Sequence, residues 1–200
     1  ILAMATNHNF SVTDEAPTPS DGTALIIGDG ASIPTFFNDG TVTGESKGAG
    51  VLFRDGSVTG DNHGAAGGTA IGVLIEPGGT LPSITNNSAI NAFSSLDVVE
   101  NLNSIESFAI LDQSGTLLNI ENTGLITATN SSGSTAVAID VSATTDAVTV
   151  TNTQLENRVI PANILGDLRF GSAPDNVLTI DGHVTNAAGV ISRATVDGRV

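Results

Sequence analysis

The sequence predicts an all-β solenoid, in which short strands stack on one another to build a rod. The first observation is a recurring pattern of Gly or Ser, any residue, Val or Ile, and Thr or Asn. It occurs at residues 40–43, 56–59, 88–91, 124–127 and 182–185, at separations near multiples of 16 to 20 residues. A short period indicates a solenoid, because each repeat can bury its apolar side only by stacking on its neighbours.

The second observation is the kind of apolar residue present. Aromatic residues make up only 4% of the chain, and Val, Ile, Leu and Ala occur in short runs such as 23–27, 70–75 and 136–141. Small and β-branched side chains suit a thin interior of stacked strands better than a globular core packed around large rings. An antiparallel sandwich also has short strands and glycine-rich turns, and it is the alternative fold class.

The net charge and the absence of cysteine rule against several classes of partner and of functional site. The formal net charge is −15, with only six Lys and Arg residues. So acidic a surface repels phosphate groups, which disfavours nucleic acid and anionic membranes as partners. The chain has no cysteine, which excludes disulfides, thiol catalysis and thiolate metal sites. No apolar run approaches the ~20 residues of a membrane-spanning helix.

The chain divides into an N-terminal arm or cap, residues 1–22, and a solenoid, residues 23–200. The arm lacks the repeated pattern, and its residues Pro17 and Pro19 favour extended or turn conformations. We expect the solenoid to be a section of a longer protein, since its repeat is still running at Val200.

From Thr23 onward, strands alternate with turns rich in glycine, asparagine and aspartate. Strands are predicted within 23–27, 33–37, 51–53, 69–75, 81–93, 96–111, 117–128, 136–150, 155–170 and 177–200. Loops are predicted at 61–68 and 129–134, and a short helix near 99–104 is the weaker interpretation of its segment. Repeats of this length would make roughly ten coils and a rod about 50 Å long at ~4.8 Å per coil.

A family pattern is carried by residues 122–128, by their degenerate copies at 38–43 and 87–92, and by the block 164–180. These segments resemble the passenger regions of bacterial autotransporters, particularly the large alphaproteobacterial type. The resemblance covers most of residues 23–200. It implies a right-handed parallel β-helix, exported by an outer-membrane β-barrel translocator.

The resemblance also implies a function. Passengers of this type commonly act in adhesion, aggregation or surface coating, so we expect a non-enzymatic adhesin or a structural coat or filament element. The expected location is extracellular, on the bacterial cell surface and associated with the outer membrane. Expected partners are further copies of the chain in a homo-oligomer or filament, a host or cell-surface protein or glycan, and the translocator. No cofactor is expected.

Three glycine-containing motifs match enzyme patterns only in part. Residues 44–48 match a nucleophile elbow, but a short strand follows where a helix is needed, so a solvated turn is predicted. Gly28-Asp29-Gly30 lacks the third glycine and the helix of a dinucleotide site. Residues 64–69 lack the lysine of a phosphate loop. Both are predicted to be ordinary turns.

Metal binding has one weak candidate. Residues 171–178 look like a single copy of the calcium-binding nonapeptide of repeats-in-toxin proteins, with Asp175 as the carboxylate. One copy with Pro174 in its loop offers few convergent oxygens, so no metal site is predicted. His8, His63 and His183 lack the spacing of metal ligands and are expected on the surface.

The alternative function is a carbohydrate-active β-helix of the tailspike or polysaccharide-lyase type. Such enzymes group acidic residues on one face, and lyases usually add a basic residue. The acids of this chain are spread along it, so carbohydrate cleavage is disfavoured and no catalytic residue is predicted. The acids considered are Asp14, Glu15, Glu45, Glu100, Glu106, Asp112 and Glu121.

Overall fold

The computed structural model describes residues 4–7, 22–46, 69–94, 106–130, 135–155, 162–181, 183–186, 189–190 and 196–197. These residues form strands joined by turns: β1 (Met4–Asn7), β2 (Gly22–Ile27), β3 (Thr35–Asn38), β4 (Thr41–Ser46), β5 (Thr69–Ile75), β6 (Ser83–Asn86), β7 (Ala89–Ser94), β8 (Glu106–Asp112), β9 (Asn119–Asn122), β10 (Leu125–Asn130), β11 (Ala136–Val141), β12 (Thr149–Thr153), β13 (Asn163–Leu165), β14 (Asp167–Phe170), β15 (Val177–Asp181), β16 (His183–Asn186), β17 (Gly189–Val190) and β18 (Val196–Asp197). The predicted all-β class is confirmed for this part of the chain. It contains no helix of the length and hydrophobicity needed to cross a membrane.

The strands assemble into three sheets of six strands each. Sheet 1 has the order β2-β5-β8-β11-β14-β18, sheet 2 the order β1-β3-β6-β9-β12-β15, and sheet 3 the order β4-β7-β10-β13-β16-β17. Neighbouring strands pair in parallel, except β16 with β17, which are antiparallel. The predicted stacking of parallel strands is therefore confirmed, and the antiparallel sandwich is wrong.

The chain visits the three sheets in the same order on every pass. We call three consecutive strands, one from each sheet, a rung; the rungs are β2–β4, β5–β7, β8–β10, β11–β13 and β14–β16. Parallel neighbours cannot be joined by a tight hairpin, because the chain must first return to the starting end of the sheet. Here the two strands in the other sheets make that return.

Each rung buries its apolar residues against the rungs beside it. Strands in sheets 2 and 3 turn alternate side chains inward, as the two-residue period of a strand requires. The inward column of sheet 2 contains Phe36, Ile84, Ile120 and Val150, and that of sheet 3 contains Val42, Ile90, Ile126 and Ile164. Residues of all three sheets belong to one hydrophobic cluster. Burial in one rung thus depends on its neighbours.

The recurring sequence pattern stacks as predicted, but its predicted period is wrong. The Val or Ile of four copies lies in one column of sheet 3, from Val42 through Ile90 and Ile126 to Val184, with Ile164 between the last two. The copy at 56–59 lies outside the described residues. Residues paired across adjacent rungs are 48 apart for Thr43 and Asn91, and 36 apart for Asn91 and Thr127.

Connections of unequal length explain these offsets. The connection from sheet 3 to sheet 1 spans residues 47–68, 95–105 and 131–135 in successive rungs, and Gly166 alone in the next. The strands on either side of the three longer connections still pair in parallel, so a longer connection does not prevent the rungs from stacking. The described residues form five rungs, and each sheet is six strands deep, about 24 Å at ~4.8 Å per strand. The predicted ten coils and 50 Å rod are wrong.

The region predicted as an N-terminal arm contributes a strand to sheet 2. β1 pairs in parallel with β3, from Met4 opposite Thr35 to Asn7 opposite Asn38. Several other predictions fall outside the described residues, namely the strand at 51–53, the loop at 61–68, the helix near 99–104 and residues 131–134 of the loop at 129–134. Thr129 and Asn130 belong to β10, so the loop prediction is wrong for them. Within 96–111, a strand is confirmed from Glu106 onward.

Candidate functional site

Four asparagines form a hydrogen-bonded column at the corner between sheet 2 and sheet 3. They are Asn38, Asn86, Asn122 and Asn152, each at most 1% exposed. Nδ2 of Asn38 donates to Oδ1 of Asn86 at 2.8 Å. The same bond joins Asn86 to Asn122 at 2.7 Å and Asn122 to Asn152 at 2.7 Å. This asparagine column satisfies amide groups whose burial without partners would be costly.

The asparagine column also fixes the turns that lead into sheet 3. Nδ2 of Asn122 donates to the carbonyl oxygen of Gly124 at 3.0 Å, and its Oδ1 accepts from the Gly124 backbone nitrogen at 3.2 Å. Glycine is needed here, because a Cβ at Gly124 would lie 2.0 Å from the carbonyl oxygen of Ser88. The Asn122 side chain thus bonds to both neighbouring rungs and closes a turn in its own rung.

This column was not predicted from the sequence, although the sequence contains a signal for it. The first four strands of sheet 2 read MATN, TFFN, SITN and NIEN, and the fifth begins TVTN. Each tetrapeptide ends in asparagine two residues after an apolar residue. Asparagine is also common in turns, so the local pattern does not by itself distinguish a stacked asparagine from a turn former.

The carboxylate of Asp112 closes the turn from sheet 1 to sheet 2 in the third rung. Asp112 is 1% exposed. Its Oδ1 accepts from the backbone nitrogen of Ser114 at 2.9 Å, from Ser114 Oγ at 2.6 Å and from the Gly115 nitrogen at 3.1 Å. Its Oδ2 accepts from the Leu117 nitrogen at 3.0 Å. These charge-assisted bonds give Asp112, one of the acids considered for catalysis, a structural role in closing the turn.

An ion pair lies at the outer side of sheet 1. Nη1 of Arg169 is 3.3 Å from Oδ2 of Asp140, and the Arg169 side chain is 37% exposed. Oδ1 of Asp140 accepts from the Ser142 nitrogen at 3.1 Å and from Ser142 Oγ at 2.6 Å. At this exposure the pair contributes roughly 1 kcal/mol or less. Arg169 is therefore bound to a turn-closing carboxylate, which is a structural role.

The outer face of sheet 2 carries a regular array of polar side chains. In β6, β9, β12 and the turns that follow, the buried residues Ile84, Ile120 and Val150 alternate with residues that keep solvent exposure. We call these outward residues, three from each of three rungs, the polar grid: Ser83, Thr85 and Asn87; Asn119, Glu121 and Thr123; Thr149, Thr151 and Thr153.

Strand register aligns the polar grid into columns. Ser83, Asn119 and Thr149 share one register position. Nδ2 of Asn119 donates to Ser83 Oγ at 3.4 Å, and Thr123 Oγ1 donates to Asn87 Oδ1 at 2.9 Å. Neighbouring rungs are ~4.8 Å apart, and alternate residues of one strand ~6.7 Å apart. The grid is therefore a lattice of hydrogen-bonding groups with two fixed spacings.

The outer face of sheet 1 has the opposite character. Ile71, Phe108 and Val137 stand in register there and form a second hydrophobic cluster, with the partly buried Leu74 and Leu111 packed against it. The outer faces of sheets 1 and 2 thus differ in chemistry although they belong to the same rungs. Alternate side chains of a strand point to opposite faces, so the outward residues can differ between sheets while the inward residues stay apolar.

The motifs examined for enzyme chemistry lie in strands and turns. Residues 44–46 end β4 and pair with β7, so the solvated turn predicted at 44–48 is wrong for them; Lys47 and Gly48 lie outside the described residues. The turn predicted at Gly28-Asp29-Gly30 is confirmed, with φ of +75° at Gly30. Of the segment 64–69, only Thr69 is described, and it begins β5.

The candidate calcium segment is a turn held by Asn176, which is 7% exposed. Nδ2 of Asn176 donates to the carbonyl oxygens of Gly171 at 3.1 Å and Ala173 at 2.8 Å, and its Oδ1 accepts from the Val148 nitrogen at 3.0 Å. Asp175 is exposed. Among the described residues, no group of three or more His, Cys, Asp or Glu side chains could hold a metal ion.

The remaining acids and histidines are dispersed. Glu106 begins β8 in sheet 1, Glu121 lies in sheet 2, and Glu45 lies in β4 of sheet 3. His183 belongs to β16, opposite Asn163. Asp14, Glu15, Glu100, His8 and His63 lie outside the described residues.

Three features define the candidate functional region. The asparagine column and the turns closed by Asp112 and Asn176 hold the rungs in place. The polar grid, which is half-buried apart from the exposed Glu121, is an outward-facing surface built on that support. No protein-family model, curated protein or solved structure matches the chain.

Proposed function

We propose that the chain is a section of a non-enzymatic bacterial surface protein, an autotransporter-like passenger that acts in adhesion or as a coat or filament element. The supporting observation is the stack, in which three sheets share one hydrophobic cluster and a buried asparagine column joins four strands of sheet 2. Stacked repeats form rigid, extended surfaces suited to contact with a partner. The passenger would be extracellular and would reach the cell surface through an outer-membrane β-barrel translocator.

We also propose that the rungs close into a right-handed parallel β-helix. One hydrophobic cluster contains Val42 of sheet 3, Ile75 of sheet 1 and Ile84 of sheet 2, as a closed cross-section would require. Crossover connections between parallel strands of one sheet are right-handed in about 98% of cases. An experimentally determined structure with left-handed or open rungs would contradict this proposal.

Self-association is the partner interaction that the stack supports. The last strand of a parallel sheet offers backbone groups to a further strand. In β15, the last strand of sheet 2, Val177 is 47% and Ile180 is 43% exposed. A second copy placed end to end would cover these residues and continue the sheet. The net charge of −15 opposes such contacts, more strongly at low salt.

Sedimentation velocity tests self-association. We expect oligomers whose proportion rises with chain concentration and with salt, because salt screens the repulsion between copies. Ile180→Lys is expected to shift the distribution toward monomer. Leu155→Lys is the matched control, since Leu155 is also 43% exposed but lies outside β15. A monomer at every concentration and salt level would contradict end-to-end stacking.

Adhesion is tested with beads that carry the full chain. We expect the beads to be retained on at least one member of a panel of immobilised glycans and host extracellular proteins, without release of sugar products. Beads carrying heat-unfolded chain are the control. Released product would favour the carbohydrate-active alternative. Failure to be retained on any member of the panel would contradict an adhesive function.

A further inference from the structure

The polar grid on the outer face of sheet 2 offers a binding surface that the proposed function leaves unassigned. We propose that the polar grid is the adhesive surface and that it binds a neutral, linear polysaccharide. This inference rests on the proposed adhesive function and names the surface and the class of ligand.

The side-chain chemistry of the grid matches a polyhydroxylated ligand. Its hydroxyl and amide groups can each donate and accept hydrogen bonds, as sugar hydroxyls do. Glu121 is the single charged residue among the nine, and its carboxylate can accept from sugar hydroxyls. The net charge of −15 disfavours an anionic polymer, and a grid with a single carboxylate offers few partners for a cationic one, so the ligand that fits is neutral.

The regular spacing of the grid suits a ligand that is itself repetitive. The three rungs present polar side chains at the same register positions, ~4.8 Å apart. Thr179, exposed in β15 opposite Thr151, continues the central column into the next rung. A polymer offers the same groups at each unit, so weak contacts at successive rungs add to one another.

The support beneath the grid makes it rigid before any ligand binds. Asn86, Asn122 and Asn152 belong to the same strands as the grid residues, and their side chains join the rungs from inside. Holding the outward hydroxyls in place lowers the entropy lost on binding. This preorganisation lets short side chains without large contact areas form a useful binding surface.

The test uses the double variant Thr85→Val/Thr151→Val. Valine keeps the shape and strand preference of threonine but removes the hydroxyl. Affinity electrophoresis is run in gels that contain hydroxyethylcellulose, β-mannan or dextran. Carboxymethylcellulose is the anionic comparison, with the same backbone as hydroxyethylcellulose. Thr129→Val, on the outer face of sheet 3, is the matched control. Thermal melts verify that each variant folds.

The full chain is expected to be retarded by at least one neutral polymer and not by carboxymethylcellulose. Loss of two hydroxyls should weaken binding about tenfold, and Thr129→Val should bind as the parent chain does. The inference is overturned if none of the three neutral polymers retards the full chain. It is also overturned if the double variant is retarded as strongly as the parent chain. If beads carrying the double variant still adhere as the parent does, the adhesive function stands and the grid assignment fails.

Discussion

Replacing Asn122 by alanine is expected to lower the free energy of unfolding by about 4 kcal/mol. Asn122 donates to Asn152 and to Gly124, and it accepts from Asn86 and from Gly124. The alanine variant removes these four bonds from a buried site, and each buried donor or acceptor that loses its bond there costs roughly 1–3 kcal/mol. Urea unfolding followed by circular dichroism measures the loss.

Asn119→Ala is the control for the asparagine column. Asn119 belongs to the same strand, β9, but faces outward, and it donates to Ser83 Oγ at 3.4 Å. Its loss is expected to cost less than about 1 kcal/mol, because water can replace a partner at a half-exposed site. Equal destabilisation by the two substitutions would show that the column does not hold the rungs together.

Replacing Asp112 by alanine is expected to cost about 3 kcal/mol of unfolding free energy. Four donors, three of them backbone nitrogens, converge on this buried carboxylate. Without it the turn from sheet 1 to sheet 2 loses its closure, and the nitrogens of Gly115 and Leu117 lose their acceptors. The same urea unfolding experiment measures the effect.

Two further variants separate the carboxylate's charge from its shape. Asp112→Asn keeps the size of the side chain but turns a donor toward backbone donors, so it should recover little of the lost stability. Asp146→Ala removes an exposed carboxylate from the corresponding turn of the next rung, with an expected change within about 0.5 kcal/mol. Full stability of Asp112→Asn would contradict the role assigned to the carboxylate.

The four-residue pattern of the strands in sheet 3 could be recognised in the sequence, but the number of residues between successive rungs could not be predicted from it. Val42, Ile90 and Ile126 occur within the same four-residue pattern and occupy one column of the core. Apolar residues and tight turns are local features, so they are visible in sequence. Ile164 lies in the same column without the pattern. Unequal connections between rungs removed any fixed period, and the constant length inferred from the pattern was wrong.

The asparagine column was hidden for a different reason. Asn38, Asn86 and Asn122 each precede a turn in the sequence, and only their pairing along the column gives them a second role. Its partners are 48, 36 and 30 residues away along the column. Three unequal separations carry no period, so the pairing follows only from the register of the strands. The polar grid was hidden in the same way, because its columns have the same unequal separations.

The sequence by itself determined that this protein is built from short strands with an aliphatic interior, since residue volume, β-branching and turn residues act locally. It also determined an acidic surface without thiol chemistry. The tertiary structure alone decided which residues share a column, because register depends on how all the rungs stack and on the lengths of the connections between them. In that register, asparagines far apart in the sequence form a buried hydrogen-bonded column, and polar residues of three rungs form an outward-facing polar grid.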